Sequence, residues 1–214
     1  MRIAILLFDR LTALDAVGPY EVLSRLPGAE TVFVGERKGM VRNEVGSLGL
    51  AVDATFEELP SPDIVVVPGG PGQVAHMEDG PVHAWLREAD RTSTATTSVC
   101  TGSLILAAAG LLKGRRATSH WLALDQFAEW GVTPTGERVV TDGKYITAAG
   151  VSSGIDMALT LAGRLGGDAL GQAIQLGIEY DPVPPYDAGS PDKAPAEVVD
   201  ALRARSRFIL LGED

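Results

Sequence analysis

Only one cysteine, Cys100, occurs among the 214 residues, so no disulfide can form within the chain and no multi-cysteine zinc site exists. Histidine is almost as scarce, at three. His76, His83 and His120 show neither H-x-x-H nor H-E-x-x-H spacing, which leaves no metal-site signature. Long apolar runs are missing as well. The first, Ile3 to Phe8, is followed at once by Asp9 and Arg10 and is far shorter than the roughly 20 residues of a spanning helix. It has no signal-peptide cleavage pattern, and the chain reads as cytoplasmic. Basic charge is in deficit: 18 Lys and Arg against 28 Asp and Glu give a net charge of -10. Such a surface repels nucleic-acid phosphates and anionic lipid headgroups, so neither nucleic acid nor membrane is an expected partner. No P-loop is present and no G-x-G-x-x-G follows the first strand, and no cofactor is expected.

What is present is a large apolar fraction, 45% of the residues, in a chain long enough to bury about 70% of its unfolded surface. No repeat, low-complexity tract or linker divides it, and residues 1–214 read as a single domain. Arg2 to Phe8 fits a strand buried on both faces, and Asp63 to Val67 runs as Asp-Ile-Val-Val-Val into Pro68-Gly69-Gly70-Pro71-Gly72, where a loop must leave the sheet. Thr31 to Val34, Val45 to Val52 and Thr94 to Val99 read as further strands. Arg138 to Thr141 and Lys144 to Thr147 flank Asp142-Gly143 as a hairpin. Helices are predicted over Asp15 to Leu26, Pro81 to Arg91, Gly102 to Leu112, Ser119 to Trp130, Ser152 to Leu165, Gly167 to Glu179 and Ala196 to Leu211. Strands alternating with helices predict an α/β fold, a mostly parallel central sheet with helices on both faces. Ligands bind such sheets beyond the carboxyl ends of the strands. That rule selects the connection leading to Asp15, the Pro68-Gly69-Gly70 loop and the turn at Cys100.

Cys100 stands between a strand and a helix in Ser98-Val99-Cys100-Thr101-Gly102. A tight turn of this kind holds its side chain at the mouth of the sheet, as in a nucleophile elbow. The helix N-terminus that follows favours a thiolate. The alternative is a small buried apolar residue, the commonest fate of a free cysteine. The amides of Gly69 and Gly70 can stabilise developing negative charge, or the glycines can simply serve a turn. Asp15 fits a helix N-cap by itself and an acid/base partner if it shares an edge with Cys100. His120 is the one histidine placed to pair with Cys100, and only if the chain folds back; capping or surface use is the simpler role.

Together these motifs resemble the ThiJ/PfpI superfamily, whose fold is flavodoxin-like and shared with the class I glutamine amidotransferases. The resemblance runs over nearly the whole chain. It is carried by the first strand, Pro68-Gly69-Gly70, the cysteine elbow and Arg116-Ala117-Thr118-Ser119-His120-Trp121. Leu14-Asp15-Ala16-Val17-Gly18-Pro19-Tyr20-Glu21-Val22-Leu23, Val99-Cys100-Thr101-Gly102, Ile178-Glu179-Tyr180-Asp181-Pro182 and Pro184-Pro185-Tyr186 look most like the isonitrile hydratase (isocyanide hydratase) branch. That branch has aspartate where most of the superfamily has glutamate.

The resemblance implies a lyase that hydrates a small isonitrile substrate to an N-substituted formamide without a cofactor. Cys100 would be the nucleophile, Asp15 the general acid/base and Thr101 a hydrogen-bonding partner. Backbone amides around Gly69, Gly70 and Thr101 would stabilise the intermediate, with Val17, Trp121 and His120 beside the substrate. It also implies a homodimer. Ser119 departs from the threonine expected before the histidine, and Glu21 is the other acidic candidate on the same helix. The same Cys-Thr-Gly and Thr-x-His-Trp patterns occur in sensor domains of AraC-type regulators, so a stand-alone ligand- or redox-sensing domain is the alternative. Another cysteine hydrolase, of amidase, peptidase or glyoxalase type, is a third reading. No basic helix-turn-helix follows the proline-rich loop.

Overall fold

The computed structural model describes residues 1–206. The chain opens with β1 (Arg2–Leu6) and α1 (Ala13–Leu23), continues through β2 (Glu30–Gly35), β3 (Gly39–Arg42), β4 (Gly49–Val52) and β5 (Ala54–Thr55), and reaches β6 (Ile64–Val67). A 3-10 turn over Pro71–His76 leads to α2 (Pro81–Asp90), β7 (Ala95–Val99) and α3 (Gly102–Ala108). Then come β8 (Arg116–Ala117), a second 3-10 segment (Leu124–Trp130), β9 (Thr133–Pro134), β10 (Val139–Asp142) and β11 (Tyr145–Ala148). Three helices follow: α4 (Ser153–Gly166), α5 (Asp168–Gly177) and α6 (Ala196–Ala204). None of the helices among the described residues is long and apolar enough to cross a membrane.

The main sheet has seven strands in the order β10-β11-β7-β6-β1-β2-β5. All its pairings are parallel except β10 with β11. The exception follows from the Asp142-Gly143 turn, where Gly143 takes a φ of 64° that a two-residue hairpin loop needs. Strands β1 and β6 bury Ile3, Ala4, Ile5, Leu6, Ile64, Val65, Val66 and Val67 completely, as a parallel strand covered on both faces must.

Crossovers determine where the helices lie. From β1 the chain moves to β2 on one side, whereas β6 moves to β7 and β7 to β11 on the other. Right-handed crossovers in opposite directions place α1 on one face and α2 and α3 on the other. In agreement, α1 packs against α4 while α2 packs against α3. The order reverses between β1 and β6, so the crevice beyond their carboxyl ends is the natural binding position.

Three local expectations are revised. The Val45 to Val52 strand is only the second arm of a β3–β4 hairpin that stands outside the main sheet, with Gly46 in its turn at φ 81°. Within Ser119 to Trp130 only Leu124–Trp130 is helical, as a 3-10 segment. The residues before it are pinned elsewhere: the Thr118 amide donates to Thr147 Oγ1 at 2.9 Å and the Ser119 hydroxyl to the Cys100 carbonyl at 3.0 Å. α3 stops at Ala108, short of Leu112, with Gly110 at φ 82°. α6 buries none of its own residues, and the part of its predicted span beyond residue 206, up to Leu211, lies outside the described residues.

Candidate active site

Three connections meet beyond the carboxyl ends of β1, β6 and β7. The first starts α1 two residues earlier than the sequence suggests. Thr12 occupies the N-cap position and accepts the Asp15 amide at 3.0 Å, so Asp15 belongs to the first helical turn. Thr12 is itself tied to the second connection, its amide donating to the Gly69 carbonyl at 2.9 Å. Asp15 therefore points inward and is fully buried. Its Oδ2 accepts the Gly69 amide at 2.9 Å, while Oδ1 is buried with no partner at full hydrogen-bond geometry. Glu21 is excluded from this interior: its side chain is 51% exposed and pairs with Arg25.

The second connection lies against the elbow so closely that only glycine fits. A Cβ on Gly69 would sit 2.5 Å from the Thr101 nitrogen, and one on Gly70, which has a φ of 123°, would sit 2.3 Å from the Thr12 nitrogen. The Gly70 amide donates to Thr101 Oγ1 at 3.0 Å. Thr101 is thereby occupied in holding the loop to the elbow.

The third connection is the elbow itself. Cys100 adopts a φ of 56°, a left-handed conformation that costs a side-chain-bearing residue roughly 1–3 kcal/mol unless its surroundings enforce it. They do so from both sides. The Cys100 amide donates to the Ala149 carbonyl at 2.8 Å and also to that of Ala148. Its carbonyl accepts the hydroxyls of Ser103 at 3.1 Å and Ser119 at 3.0 Å. Gly102 permits the following helix to start here, since a Cβ would meet the Val67 carbonyl oxygen at 2.1 Å.

Electrostatics separate the two titratable groups. Burial, opposed by the Gly69 amide and reinforced by the charge of Glu44, pushes the Asp15 carboxyl up to about 7; the Cys100 side chain favours its charged form. Burial also pushes the Cys100 thiol well above its ordinary value, and the charge of Asp15 adds to this, against the backbone amides of Thr101 and Val151. The helix N-terminus therefore does not produce a thiolate in the resting site. Desolvation of a buried charge outweighs the partial positive charge of a few amides. The arrangement is a protonated thiol beside a carboxyl that gains and loses its proton near neutrality, which suits addition of S–H across a multiple bond.

Cys100, Asp15, Thr101, Gly69 and Gly70 are thus brought together. His120 is half-buried, its Nδ1 accepting the Leu122 amide at 3.3 Å and its ring packed on Gly150. Burial lowers its basicity. Trp121 stacks with His120 at a centroid separation of 6.0 Å and lies beneath the Arg203 guanidinium of α6. Val17 is half-buried on α1. The sequence reading missed Ser103 and Ser119 as anchors of the elbow, the Val151 amide and Glu44. Ser119 was visible only as a departure from an expected threonine. Among the described residues, no group of three or more His, Cys, Asp or Glu is placed to hold a metal ion.

The DJ-1/PfpI family profile matches residues 1–164. The chain belongs to the DJ-1/PfpI family. Among DJ-1/PfpI relatives, it is 45% identical over 206 residues to isonitrile hydratase of Pseudomonas putida, covering 96% of this chain and 90% of that protein. The crystal structure of a ThiJ/PfpI family protein from Pseudomonas syringae superposes with a TM-score of 0.93 at 38% identity, over 97% of this chain and 86% of that one. The transcriptional regulator GbdR of Pseudomonas aeruginosa is 32% identical over 186 residues, 84% of this chain but only 50% of the regulator. The flavodoxin-like α/β architecture expected from the sequence is the architecture of this DJ-1/PfpI member.

Proposed function

We propose that the chain is an isonitrile hydratase that works through a covalent intermediate on Cys100. The observation that carries this reading is the burial of Asp15, a carboxyl titrating at about 7, beside the Cys100 thiol. Identity of 45% to an isonitrile hydratase, over nearly the full length of both chains, supports the same chemistry.

The terminal carbon of an isonitrile accepts both a proton and a nucleophile. Protonated Asp15 delivers its proton to that carbon as the sulfur adds, and takes up the proton the thiol gives away. The product is a thioimidate, S–CH=N–R, and the amides of Thr101 and Val151 that face the sulfur favour its charged form during the attack. Water then adds to the same carbon, with one proton passing through Asp15 to nitrogen. Collapse breaks the C–S bond and returns the hydroxyl proton to sulfur, releasing R–NH–CHO and the free thiol. The sum is isonitrile plus water to formamide, with no net proton gained or lost and no cofactor in any step.

Formamide production from an aromatic isonitrile tests this, comparing the wild type with Cys100→Ala and Asp15→Asn. Turnover by the wild type and its loss in both variants is the expected result. No wild-type turnover, with Cys100 still open to alkylation, would overturn it in favour of the ligand-sensing role suggested by the regulator relatives.

A further inference from the structure

The hydroxyls of Ser103 and Ser119 brace the carbonyl side of Cys100, but its amide side depends on the turn that joins β11 to α4. The Cys100 amide donates to the carbonyls of Ala149 at 2.8 Å and Ala148 at 3.1 Å, so the left-handed cysteine, at φ 56°, is placed only as firmly as Ala149. One residue holds that turn at both ends. Before the turn, the Arg138 carbonyl accepts the Ala149 amide at 2.9 Å. Beyond it, the Arg138 guanidinium donates through Nη2 to the hydroxyl of Ser152, the N-cap residue of α4, at 3.3 Å, and through Nε to Asp156 in the first turn of that helix. Between these anchors the turn is closed on itself, the Ser153 amide and hydroxyl both donating to the Gly150 carbonyl at 2.9 Å. The Arg138 side chain is 50% exposed, and an isolated ion pair at such exposure contributes little stability. Its place in the chain, bonded on either side of the turn behind the nucleophile, is what needs an account.

We propose that Arg138 is a positioning residue: by bridging the start of β10 to the start of α4 it fixes Ala149, and through Ala149 the amide side of the Cys100 elbow. The bridge is possible because β10 and β11 are antiparallel and pair Val139 with Ala148, which sets Arg138 opposite Ala149 while its long side chain reaches past the turn to the helix. A left-handed cysteine persists only where its surroundings enforce that conformation. With glutamine at 138 the backbone bond to Ala149 remains and the guanidinium is lost, so the turn is anchored at one end alone. The structural part of the proposal stands on these bonds; the catalytic part rests on the hydratase reading.

The test is amide hydrogen exchange in the intact chain, read by NMR, together with kcat and KM for formamide production. The ratio of exchange at the Cys100 amide to that at the Ile5 amide, in the centre of the sheet, separates local loosening from general destabilisation. In Arg138→Gln this ratio is expected to rise by about threefold or more. Arg138→Lys keeps a cation for Asp156 without the second donor for Ser152 and recovers part of the change. Arg87→Gln removes a comparably exposed ion pair, with Asp79 on the far side of the sheet order, and leaves the ratio in place. In Arg138→Gln kcat falls by about threefold or more while KM changes by less than about twofold, because placement of the nucleophile is lost and substrate binding is not. Equal acceleration at Cys100 and Ile5 overturns the proposal, as does an equal rise of the ratio in Arg87→Gln. A raised ratio with wild-type kcat overturns its catalytic part. A raised ratio in a protein whose wild type produces no formamide supports the hold of Arg138 on Cys100 and overturns the hydratase reading alone.

Discussion

Asp15 and Cys100 act on each other's protons in opposite senses. The thiol side chain favours the charged carboxyl, whereas the charged carboxyl makes the sulfur keep its proton. The pair exists because β1, β6 and β7 are neighbours in the sheet, bringing the start of α1 and the elbow to one edge.

Alkylation of Cys100 follows from this relationship. At pH 7 iodoacetamide is expected to label Cys100 much more slowly than it labels free glutathione, with the rate rising steadily through pH 9. Above pH 7, where Asp15 is charged, Asp15→Asn removes the repulsion and labelling becomes several-fold faster. Equal rates in the two proteins across pH 7 to 9 would show that Asp15 exerts no field at the sulfur.

Stability carries the same signature with a defined sign. Folding moves the Asp15 carboxyl from an ordinary 3.8 to about 7, so the folded state binds more protons than the unfolded one between those values. The contribution of Asp15 to stability then falls as pH rises through that window and levels off above it. Its limit is about 4 kcal/mol. Asp15→Asn retains an oxygen to accept the Gly69 amide and cannot ionise. Thermal denaturation should therefore show little difference from wild type near pH 4 and a higher melting temperature for Asp15→Asn at pH 8.

The elbow should tolerate no side chain at Gly102. With the Val67 and Pro68 carbonyl oxygens 2.1 Å and 2.6 Å from a new Cβ, Gly102→Ala is expected to lose more than about 3 kcal/mol or to misplace Cys100. Gly114→Ala is the contrast. It has a φ of 74° but open space around it, so only backbone strain of roughly 1–2 kcal/mol applies. Urea denaturation of the two variants separates a steric from a conformational demand.

Ser119 should act through the backbone of Cys100. Removing its hydroxyl in Ser119→Ala leaves the Cys100 carbonyl with Ser103 alone and is expected to cost about 1–2 kcal/mol. Urea denaturation measures that cost. Activity should fall further in the double variant Ser103→Ala with Ser119→Ala, in which neither hydroxyl restrains the left-handed cysteine.

Much of the architecture was legible without coordinates. The apolar run Ile3 to Phe8, the Asp63 to Val67 strand ending at Pro68, and Cys100 between a β-branched strand and an Ala- and Leu-rich helix are local patterns, and the structure follows them. Errors gathered where distant bonds override local preference. Ser119 to Ala123 has helical composition, yet Thr118 and Ser119 are engaged by Thr147 and Cys100. Asp15 suits an N-cap, but Thr12 takes that place because it is anchored to Gly69.

The sequence by itself determined the class of fold, the elbow at Cys100 and the glycine loop after β6, since hydrophobic periodicity and turn chemistry act over a few residues. Tertiary structure alone decided that Ser103 and Ser119 brace the elbow and that the charge of Glu44 acts on Asp15, the acidic residue already favoured over Glu21 by the segment around it. It also decided the protonation of the site. A helix N-terminus by itself favours a thiolate, whereas the assembled interior removes water from both groups and keeps the proton on sulfur. Desolvation is a property of everything packed around a charge, and no stretch of sequence contains it.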